Sequence, residues 1–316
     1  MASGKKRLLT GLQSSGQLHI GNYFGAIKPF VDMYQDYESI LMVADYHALT
    51  TVKDPKVLEK NILDVVADYI AAGVDPTKAI IFKQSDVLQH FELGWIFDCL
   101  VTVPFLMQAH SYKDKVAKGL EPNAGLFTYP MLMAADILLY DTDVVPVGED
   151  QRQHVEYARE AATKFNNTFG QTFKEPEEKI QKNVGVVPGT DGKKMSKSYG
   201  NTIPLFGSRE EIAKAVMSIV TDSGGDKPEH VYAIHRLLKT EEELAGLYEE
   251  KKGKYKELKE ALIEDLDAFI ALMRAKRQSL TREAIIDVLK AGGAKAKTIA
   301  EAKMQDVRKK VGVGIY

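Results

Sequence analysis

Residues 7–22 read RLLTGLQSSGQLHIGN, and this stretch decides the fold class of the chain. Arg7–Gln13 is a short apolar run typical of a buried strand, and a loop of serine and glycine ends it. From Ile20 to Tyr34 the apolar residues recur about one helical turn apart, which predicts a helix. A strand, a polar loop and a helix form the first step of an alternating α/β pattern.

The same alternation fills the first two thirds of the chain. Strands are predicted over Ile40–Ala44, Ala79–Phe82 and Val144–Val147. Helices are predicted over Pro55–Gly73, Leu88–Val101, Met131–Leu139 and from Gly148 to about Phe165. The pattern predicts a doubly wound, Rossmann-like parallel sheet, whose ligands bind at the carboxyl ends of the strands. The polar residues expected there are Gln13, Asp45, His47, Gly148, Asp150 and Gln151.

Beyond about residue 205 the strand pattern gives way to charged, amphipathic segments. Helices are predicted over Ser208–Val220, Glu229–Leu238, Glu241–Glu250, Lys254–Arg277, Thr281–Lys290 and Ala294–Lys310. The first of these begins with the serine and glutamate spacing of a capping box. We therefore predict an α/β domain over residues 1–204 and an all-helical domain over residues 205–316.

Composition places the chain among ordinary globular proteins, with 45% apolar and 27% charged residues. The formal net charge of −2 leaves only local patches for binding nucleic acid. No apolar run reaches the roughly 18 residues of a membrane span, and no apolar stretch follows the basic start, so we expect neither a span nor a signal peptide. Cys99 is the single cysteine, which fits a cytoplasmic protein without disulfides or a Cys-rich metal site.

A loop near the end of the predicted α/β domain concentrates positive charge. Lys193–Ser198 places three ammonium groups and two hydroxyls in six residues, directly after the turn-forming Pro188–Gly192. Such a loop suits a triphosphate that gains charge on its leaving group during reaction. Lysine-rich surface loops are commonly only solvated, but the order Lys-Met-Ser-Lys-Ser favours the functional interpretation.

His19-Ile20-Gly21-Asn22 stands at a predicted helix start, where free N–H groups and the helix dipole attract phosphate. Gly21 leaves room for a ring to approach the backbone, and His19 can donate to phosphate oxygens. A loop histidine beside a packing glycine is an equally good interpretation of this tetrad alone. A P-loop is rejected, because Asn22-Tyr23 stands where lysine and serine or threonine are required.

Tyr129, Met133 and Asp136 share one face of a predicted helix. An apolar wall with one carboxylate suits an aromatic ligand that carries a donor, although tyrosine and methionine at this spacing are usually core residues. A buried carboxylate needs a partner. Asp150 and Gln151, in a predicted first helical turn, are either caps or groups that hold a ribose hydroxyl or an ammonium. No histidine has metal-ligand spacing, so no zinc site is expected.

The His-Ile-Gly-Asn stretch followed by the Lys-Met-Ser-Lys-Ser loop resembles the class I aminoacyl-tRNA synthetases. Nearly the whole chain resembles the bacterial-type tryptophanyl-tRNA synthetases of that class. The matching stretches are Gly11–Gln13, His19–Asn22, Asp45–Ala48, Tyr129–Leu139, Val145–Gln151, Lys194–Ser198, Ala215–Ser223 and Gly293–Ala296. Met133–Leu139 and Val145–Gln151 separate this family best from its relatives.

This resemblance implies two adjoining sites. The residues that would line the ATP site are Gln13, His19, Gly21, Asn22, Lys115, Gly148, Asp150, Gln151, Lys194, Met195, Ser196, Lys197 and Ser198. Those that would surround tryptophan are Leu9, Gly11, His47, Tyr129, Met133, Asp136, Val145, Val147 and Gln151. The catalytic groups would be His19, Lys194 and Lys197. Asp136 would accept from the indole N–H, because that nitrogen is only a donor.

The implied reaction has two steps. L-tryptophan and ATP form tryptophanyl-adenylate and pyrophosphate, and tRNA(Trp) then takes the tryptophan. ATP would carry Mg²⁺ without a protein ligand, and neither an iron–sulfur cluster nor zinc is expected. A cytoplasmic homodimer with tRNA across both subunits is implied, and the helices over Lys254–Arg277 and Ala294–Lys310 are candidates for anticodon contact.

Three positions depart from the family pattern. Asn22 replaces the second histidine of the class motif, as is common in this family; Leu9 stands where an aromatic residue is expected, and Tyr199-Gly200 follows the lysine loop where many relatives have an acidic residue. A tyrosyl-tRNA synthetase shares the fold and both motifs and stays open as an alternative. A catalytically inactive, tRNA-binding paralogue also stays open, although both loop lysines and His19 are present.

Overall fold

The structure of the chain is a computed structural model that describes residues 4–12, 16–117, 119, 121–147, 152–180, 187–221 and 227–315. Five parallel strands form one sheet. They are β1 (Arg7–Leu12), β2 (Glu38–Val43), β3 (Ala79–Lys83), β4 (Val144–Val147) and β5 (Glu177–Ile180). Their order across the sheet is β3-β2-β1-β4-β5. The crossover from β3 back past β1 to β4 confirms the predicted doubly wound α/β fold.

The strand β5 was missed by the sequence analysis. Its four residues, Glu177–Ile180, include three charged side chains and show no apolar run. Within the described part of the chain the strand pairs with β4 alone and forms the edge of the sheet, where charged residues are tolerated because one side faces away from the core. None of its described side chains is buried, so the strand lacks the apolar pattern by which strands are recognised in a sequence.

The helices of the first two thirds follow the predicted strands. A continuous helical segment is formed by α1 (Ile20–Asn22), a π-helical turn (Tyr23–Ile27) and α2 (Lys28–Met33). The others are α3 (Asp45–Ala48), α4 (Pro55–Ala71), α5 (Gln89–Asp98), α6 (Val103–Leu106), α7 (His110–Ala117), α8 (Ala124–Leu138) and α9 (Arg152–Phe169).

Helix α8 begins seven residues before the predicted Met131. Asn123 caps it by accepting a hydrogen bond from the backbone N–H of Leu126 at 2.8 Å, and Pro130 lies inside the helix. The residues before the proline continue the same helix, so the predicted start at Met131 was too late. As a result Tyr129 and Asp136 lie on one helix, at the spacing that the sequence analysis used.

The C-terminal third is helical, as predicted. It contains α10 (Arg209–Met217), α11 (Glu229–His235), α12 (Glu241–Glu250), α13 (Tyr255–Ser279) and α14 (Arg282–Val311). The prediction of separate helices over Thr281–Lys290 and Ala294–Lys310 was wrong, because α14 runs through both.

Gly292 lies inside α14, at the point where this helix packs against the sheet. A Cβ at this position would lie 1.9 Å from the carbonyl oxygen of Ile81 in β3, so the glycine is needed for helix and strand to approach. Ile285 and Leu289, on the same helix, join the core that contains α4 and the sheet. Thus α14 packs on the α/β part of the molecule. None of the described helices is both long and apolar enough to cross a bilayer.

Candidate active site

His19 caps α1 through a reciprocal pair of hydrogen bonds with Asn22. The backbone N–H of His19 donates to Oδ1 of Asn22 at 3.1 Å, and the backbone N–H of Asn22 donates to Nδ1 of His19 at 3.2 Å. Because Nδ1 accepts, a neutral His19 ring carries its proton on Nε2. Burial, with a smaller effect of the Lys197 charge, lowers the pKa of His19 to about 4. At neutral pH the ring is therefore an uncharged N–H donor.

Gly21 is required by packing as well as by its place in the motif. A Cβ at Gly21 would lie 2.9 Å from Nδ1 of His19 and 3.2 Å from Cβ of Met195. A side chain there would push on both the capping histidine and the lysine loop. From the sequence, Gly21 was predicted to leave room for a ligand. In the structure it also lets the His19 motif and Met195 of the lysine loop pack closely.

The lysine loop is a hairpin. Pro188 and Lys194 form an antiparallel bridge, the N–H of Gly189 donates to the carbonyl of Lys193 at 2.6 Å, and the N–H of Met195 donates to the carbonyl of Val187 at 2.9 Å. The turn between them ends at Gly192, whose positive φ of 80° favours glycine.

Asn201 holds this hairpin together, and the sequence analysis missed it. Its Oδ1 accepts from the backbone N–H of Ser196 at 2.8 Å, and its Nδ2 donates to Oδ1 of Asp191 at 2.6 Å and to the carbonyl of Lys194 at 3.2 Å. The side chain is almost fully buried. A single asparagine in a loop indicates a turn and nothing more, so the sequence gives no signal for this role.

The two motifs meet in the folded chain. The backbone N–H of Ile20 donates to the carbonyl of Ile203 at 3.0 Å, so the segment after the hairpin pairs with the start of α1. Met195 is buried in the same core cluster as Ile20. The ammonium group of Lys197 donates to the carbonyl of Gly16 at 3.1 Å. Sequence positions almost two hundred residues apart are thus joined at the carboxyl end of β1.

The other loop residues are accounted for as follows. Ser196 caps a 3-10 turn (Lys197–Tyr199) by accepting from the N–H of Ser198 at 3.3 Å, and Lys194 is exposed. Gly200 ends the turn with a φ of 64°. A glycine after Tyr199 therefore fits the left-handed backbone there.

Several predicted ATP-site residues lie outside the described part of the chain. They are Gln13, Gly148, Asp150 and Gln151. Lys115 lies in α7, but its side chain is also outside the description. The described members cluster where the two motifs meet. These are His19, Gly21, Asn22, Met195, Ser196 and Lys197, with Lys194 and Ser198 exposed in the same hairpin.

Asp136 is buried at the same edge of the sheet and is surrounded by donors. Nε2 of His47 lies 2.8 Å from its Oδ2, Nε2 of Gln84 donates to its Oδ1 at 2.8 Å, and Nδ1 of His90 lies 2.6 Å from the same Oδ1. His47 and Gln84 follow the carboxyl ends of β2 and β3. Although burial opposes ionisation, His90 and His47 hold the pKa of Asp136 at about 2. Asp136 is therefore a carboxylate at neutral pH.

Gln84, His90 and Tyr140 were missed by the sequence analysis. Gln84 and His90 are fully inaccessible to solvent, and Nε2 of His90 lies 2.8 Å from the hydroxyl of Tyr140. A buried glutamine or histidine shows no pattern of its own. The buried carboxylate was a signal, because it required partners, but it did not say which residues they would be.

The other residues predicted to surround tryptophan differ in their contacts and burial. Tyr129 stands edge-on to His47 with ring centroids 6.3 Å apart, and its hydroxyl lies 2.9 Å from Nε2 of His154. Leu9 and Val145 are buried core residues. The other members are Gly11, which is exposed, and Met133 and Val147, which pack against the core and are partly buried.

Among the described residues, no group of three histidine, cysteine or acidic side chains is arranged to hold a metal ion. Asp45, which follows β2, is engaged by Ser85, whose backbone N–H donates to its Oδ1 at 3.0 Å. Its carboxylate joins the segments after β2 and β3, so its role here is structural.

Comparison with known proteins defines the class. A family model described as tRNA synthetases class I (W and Y) matches residues 1–289. The chain is 44% identical to the tryptophan–tRNA ligase of Fusobacterium nucleatum subsp. nucleatum, over 98% of both chains. It is 45% identical to that of Campylobacter jejuni, over 97% of this chain and 100% of the other.

Solved structures agree with the family model. The crystal structure of Campylobacter jejuni tryptophanyl-tRNA synthetase, complexed with ADP and tryptophan, superposes with a TM-score of 0.92 at 44% identity. The match covers 97% of this chain and 99% of that one. The chain belongs to the class I tRNA synthetases for tryptophan and tyrosine, and within them to the bacterial-type tryptophanyl-tRNA synthetases. Enzymes of this family use ATP.

Proposed function

We propose that this chain is a tryptophan–tRNA ligase, which forms tryptophanyl-adenylate and pyrophosphate from L-tryptophan and ATP and then transfers tryptophan to tRNA(Trp). The observation that carries the proposal is the junction of His19 with the lysine hairpin, on the same sheet edge as the carboxylate of Asp136. One part offers donors to a phosphate chain, and the other offers an acceptor to an indole.

In the first step a carboxylate oxygen of tryptophan attacks the α-phosphorus of ATP, and the bond to pyrophosphate breaks. Negative charge grows on the leaving group. Lys194 and Lys197 supply positive charge to it, and His19 supplies an uncharged Nε2–H donor. In the second step a ribose hydroxyl at the end of the tRNA attacks the acyl carbon, and AMP leaves. Positioning and charge stabilisation are sufficient for both steps.

The lysine hairpin is suited to change position during the reaction. Its base is fixed by Asn201 and by the buried Met195, while Lys194 and Ser198 at its surface are exposed. The ammonium group of Lys197 now donates to the backbone carbonyl of Gly16. A phosphate oxygen would be a charged acceptor and could take the place of that carbonyl.

Asp136 is the proposed recognition group for the indole N–H. A buried carboxylate that loses a donor is penalised, so analogues without the N–H are expected to bind weakly. We propose the same ATP and tryptophan site residues that the sequence resemblance implies, including those outside the described residues.

Magnesium is proposed to arrive on the phosphates of ATP. Mg²⁺ usually keeps several waters and binds through substrate phosphates with few protein ligands. The chain would then need no dedicated metal site. We propose a cytoplasmic localisation.

A homodimer is proposed from an exposed apolar face on α5 and α6. Leu88, Phe91 and Trp95, about one turn apart along α5, are 67%, 46% and 70% exposed, and Val103 and Met107, one turn apart along α6, are 60% and 47% exposed. Large apolar side chains gathered on one face are typical of a protein interface. A second copy of the chain, which presents the same face, is the proposed partner.

The helical part is proposed to contact the tRNA. Residues 1–204 would form the catalytic domain and residues 205–316 the anticodon-binding domain, with α14 packed on the sheet of the former. Basic side chains on α13 and α14 are the proposed contacts.

Charging of tRNA with labelled amino acid tests this function. We expect ATP-dependent incorporation of tryptophan into tRNA, and no incorporation of tyrosine. Incorporation of tyrosine would identify the alternative enzyme with the same fold, and incorporation of neither would support an inactive, tRNA-binding paralogue.

A further inference from the structure

The donors around Asp136 are arranged unequally on its two oxygens. A carboxylate has about four acceptor positions, two on each oxygen. Gln84 donates to Oδ1 at 2.8 Å, and Nδ1 of His90 stands 2.6 Å from the same oxygen as an ion-pair contact, outside hydrogen-bond geometry. His47 alone approaches Oδ2, so one acceptor position on Oδ2 stays open.

Burial decides which of these groups a ligand can meet. Gln84 and His90 are fully inaccessible, and Asp136 itself is only 1% exposed, but the side chain of His47 is 18% exposed. A ligand therefore reaches Asp136 from the His47 side, where Oδ2 lies. Gln84 and His90 stand behind the carboxylate and do not touch the ligand.

The chain of bonds continues behind His90. Its Nε2 lies 2.8 Å from the hydroxyl of Tyr140, and burial raises the pKa of that hydroxyl. A phenol that keeps its proton donates to Nε2, which leaves the proton of a neutral His90 ring on Nδ1, next to Asp136. Tyr140 thus orients the ring whose Nδ1 stands 2.6 Å from Oδ1.

We infer that Gln84 and His90 are positioning residues that set amino-acid specificity, by holding Oδ1 from behind and leaving Asp136 an open acceptor position on Oδ2, the side that a ligand can reach. The inference rests on the proposed function. An indole N–H satisfies this position completely, because it donates and accepts nothing.

A phenol fares worse at the same position. The hydroxyl of tyrosine can donate to Oδ2, but the Nε2 of His47 beside it is already bonded to that oxygen, and Gln84 and His90 are inaccessible behind the carboxylate. A buried oxygen without a donor is costly. The arrangement therefore separates tryptophan from tyrosine by hydrogen bonding, in addition to any difference in shape.

Amino-acid-dependent ATP–pyrophosphate exchange with substitutions behind the carboxylate tests the inference. The probes are tryptophan and β-(benzothienyl)alanine, in which sulfur replaces the indole N–H. The variants are Gln84→Met and His90→Leu, which remove the donors, and His90→Asn, whose amide can replace Nδ1–H. We expect the first two to raise the KM for tryptophan roughly 10-fold or more while the KM for the analogue stays within about 2-fold. We expect His90→Asn to keep most of the preference for tryptophan.

A merely structural role has a different signature. It would raise the KM for both amino acids together and lower kcat, and His90→Asn would not restore the preference. That result, or an unchanged ratio of the two KM values in both donor-free variants, would overturn the inference.

The unmodified protein supplies a second test that does not depend on the folding of variants. Tyrosine and 4-aminophenylalanine have nearly the same shape, but the aniline nitrogen is a much poorer acceptor than the phenol oxygen. We expect the wild-type enzyme to activate the amino analogue at least several-fold better than tyrosine. Equal use of the two would contradict the inference.

Failure of this inference is distinguishable from failure of the proposed function. If wild-type protein gives no exchange with tryptophan, the proposed function fails. If wild type exchanges with tryptophan, and Asp136→Asn loses the preference over the analogue while Gln84→Met and His90→Leu keep it, only the role of the two positioning residues is wrong.

Discussion

Individual residues at the candidate site are held in defined protonation states by their surroundings. His19 is kept neutral by burial and, to a smaller extent, by the charge of Lys197, and Asp136 is kept ionised by His90 and His47 although it is buried. The neutral histidine donates without repelling the loop lysines. The ionised aspartate accepts without needing to lose a proton. Both protonation states are therefore already present in the protein without substrate.

Lys197→Ala is predicted to slow adenylate formation by roughly 10²–10³-fold, because its charge is used most strongly when pyrophosphate leaves. The KM for tryptophan should change little. Pre-steady-state formation of the adenylate measures this directly. Lys193→Ala, an exposed lysine of the same hairpin, is the matched control and should retain nearly full activity. Equal losses in rate and in tryptophan binding would argue against a transition-state role for Lys197.

His19 gives a prediction for pH. Its pKa is lowered from an ordinary 6.5 to about 4 in the folded chain, so below pH 6.5 the unfolded chain takes up a proton that the folded chain refuses. The contribution of His19 to the free energy of unfolding therefore has its full value near pH 7 and decreases as the pH falls from about 6.5 towards 4. Relative to His19→Gln, the wild type should lose up to about 2 kcal/mol more between pH 7 and pH 5. Denaturant unfolding at both pH values measures the difference, and identical losses in the two proteins would contradict it.

At the level of elements, burial explains what the sequence could predict. The strands β1 to β4 are strongly patterned because they are buried, and they were found within two residues of their bounds, whereas α8 begins seven residues before its predicted start and the short helices α6 and α7 were not predicted. The charged edge strand β5 was missed, and two helices were predicted where α14 is continuous. Gly292 allows α14 to approach β3 closely, and proximity in three dimensions is absent from a local pattern.

Gly292→Ala tests that explanation. The added Cβ would meet the carbonyl oxygen of Ile81 at 1.9 Å, so the helix must move away from the sheet. We expect a loss of stability of about 2 kcal/mol or more, against the usual preference of a helix for alanine. Gly246→Ala in α12, where nothing lies within 4 Å of the new Cβ, is the control and should stabilise by about 0.5–1 kcal/mol. Thermal unfolding of the two variants gives the comparison; equal effects would show that packing at Gly292 is not limiting.

The candidate site was predicted less evenly than the fold. The His-Ile-Gly-Asn stretch, the lysine loop and Asp136 were found because each carries a pattern or an unusual charge. Asn201, Gln84 and His90 carry none, and they act by holding other residues. The pairing of the segment at Ile203 with the start of α1 joins distant parts of the chain, and no periodicity reports such a contact.

The whole molecule is proposed to work as a pair of subunits. The exposed face formed by Leu88, Phe91, Trp95, Val103 and Met107 is on the α/β part of the chain, at α5 and α6. The lysine hairpin and the helices α10 and α13 contribute none of these side chains. We expect dimer formation to leave them accessible to ATP and tRNA.

Trp95→Glu is predicted to convert the dimer to a monomer, because a charge would be buried at the centre of the apolar face. Sedimentation velocity measures the change in mass. Leu272→Glu is the control: Leu272 is 83% exposed on α13, away from this face, and its variant should remain dimeric. Trp95 is also the single tryptophan of the chain, so its fluorescence should shift to the blue on dimerisation. A wild-type protein that is monomeric at micromolar concentration would contradict the proposal.

The most direct test of the central claim is ATP–pyrophosphate exchange that depends on the amino acid, measured side by side with tryptophan, tyrosine and phenylalanine. We expect exchange with tryptophan alone, since the buried carboxylate of Asp136 requires an N–H donor and the two motifs supply the phosphate site. Exchange with tyrosine in place of tryptophan would contradict the pocket, and silence with all three amino acids would contradict catalysis itself.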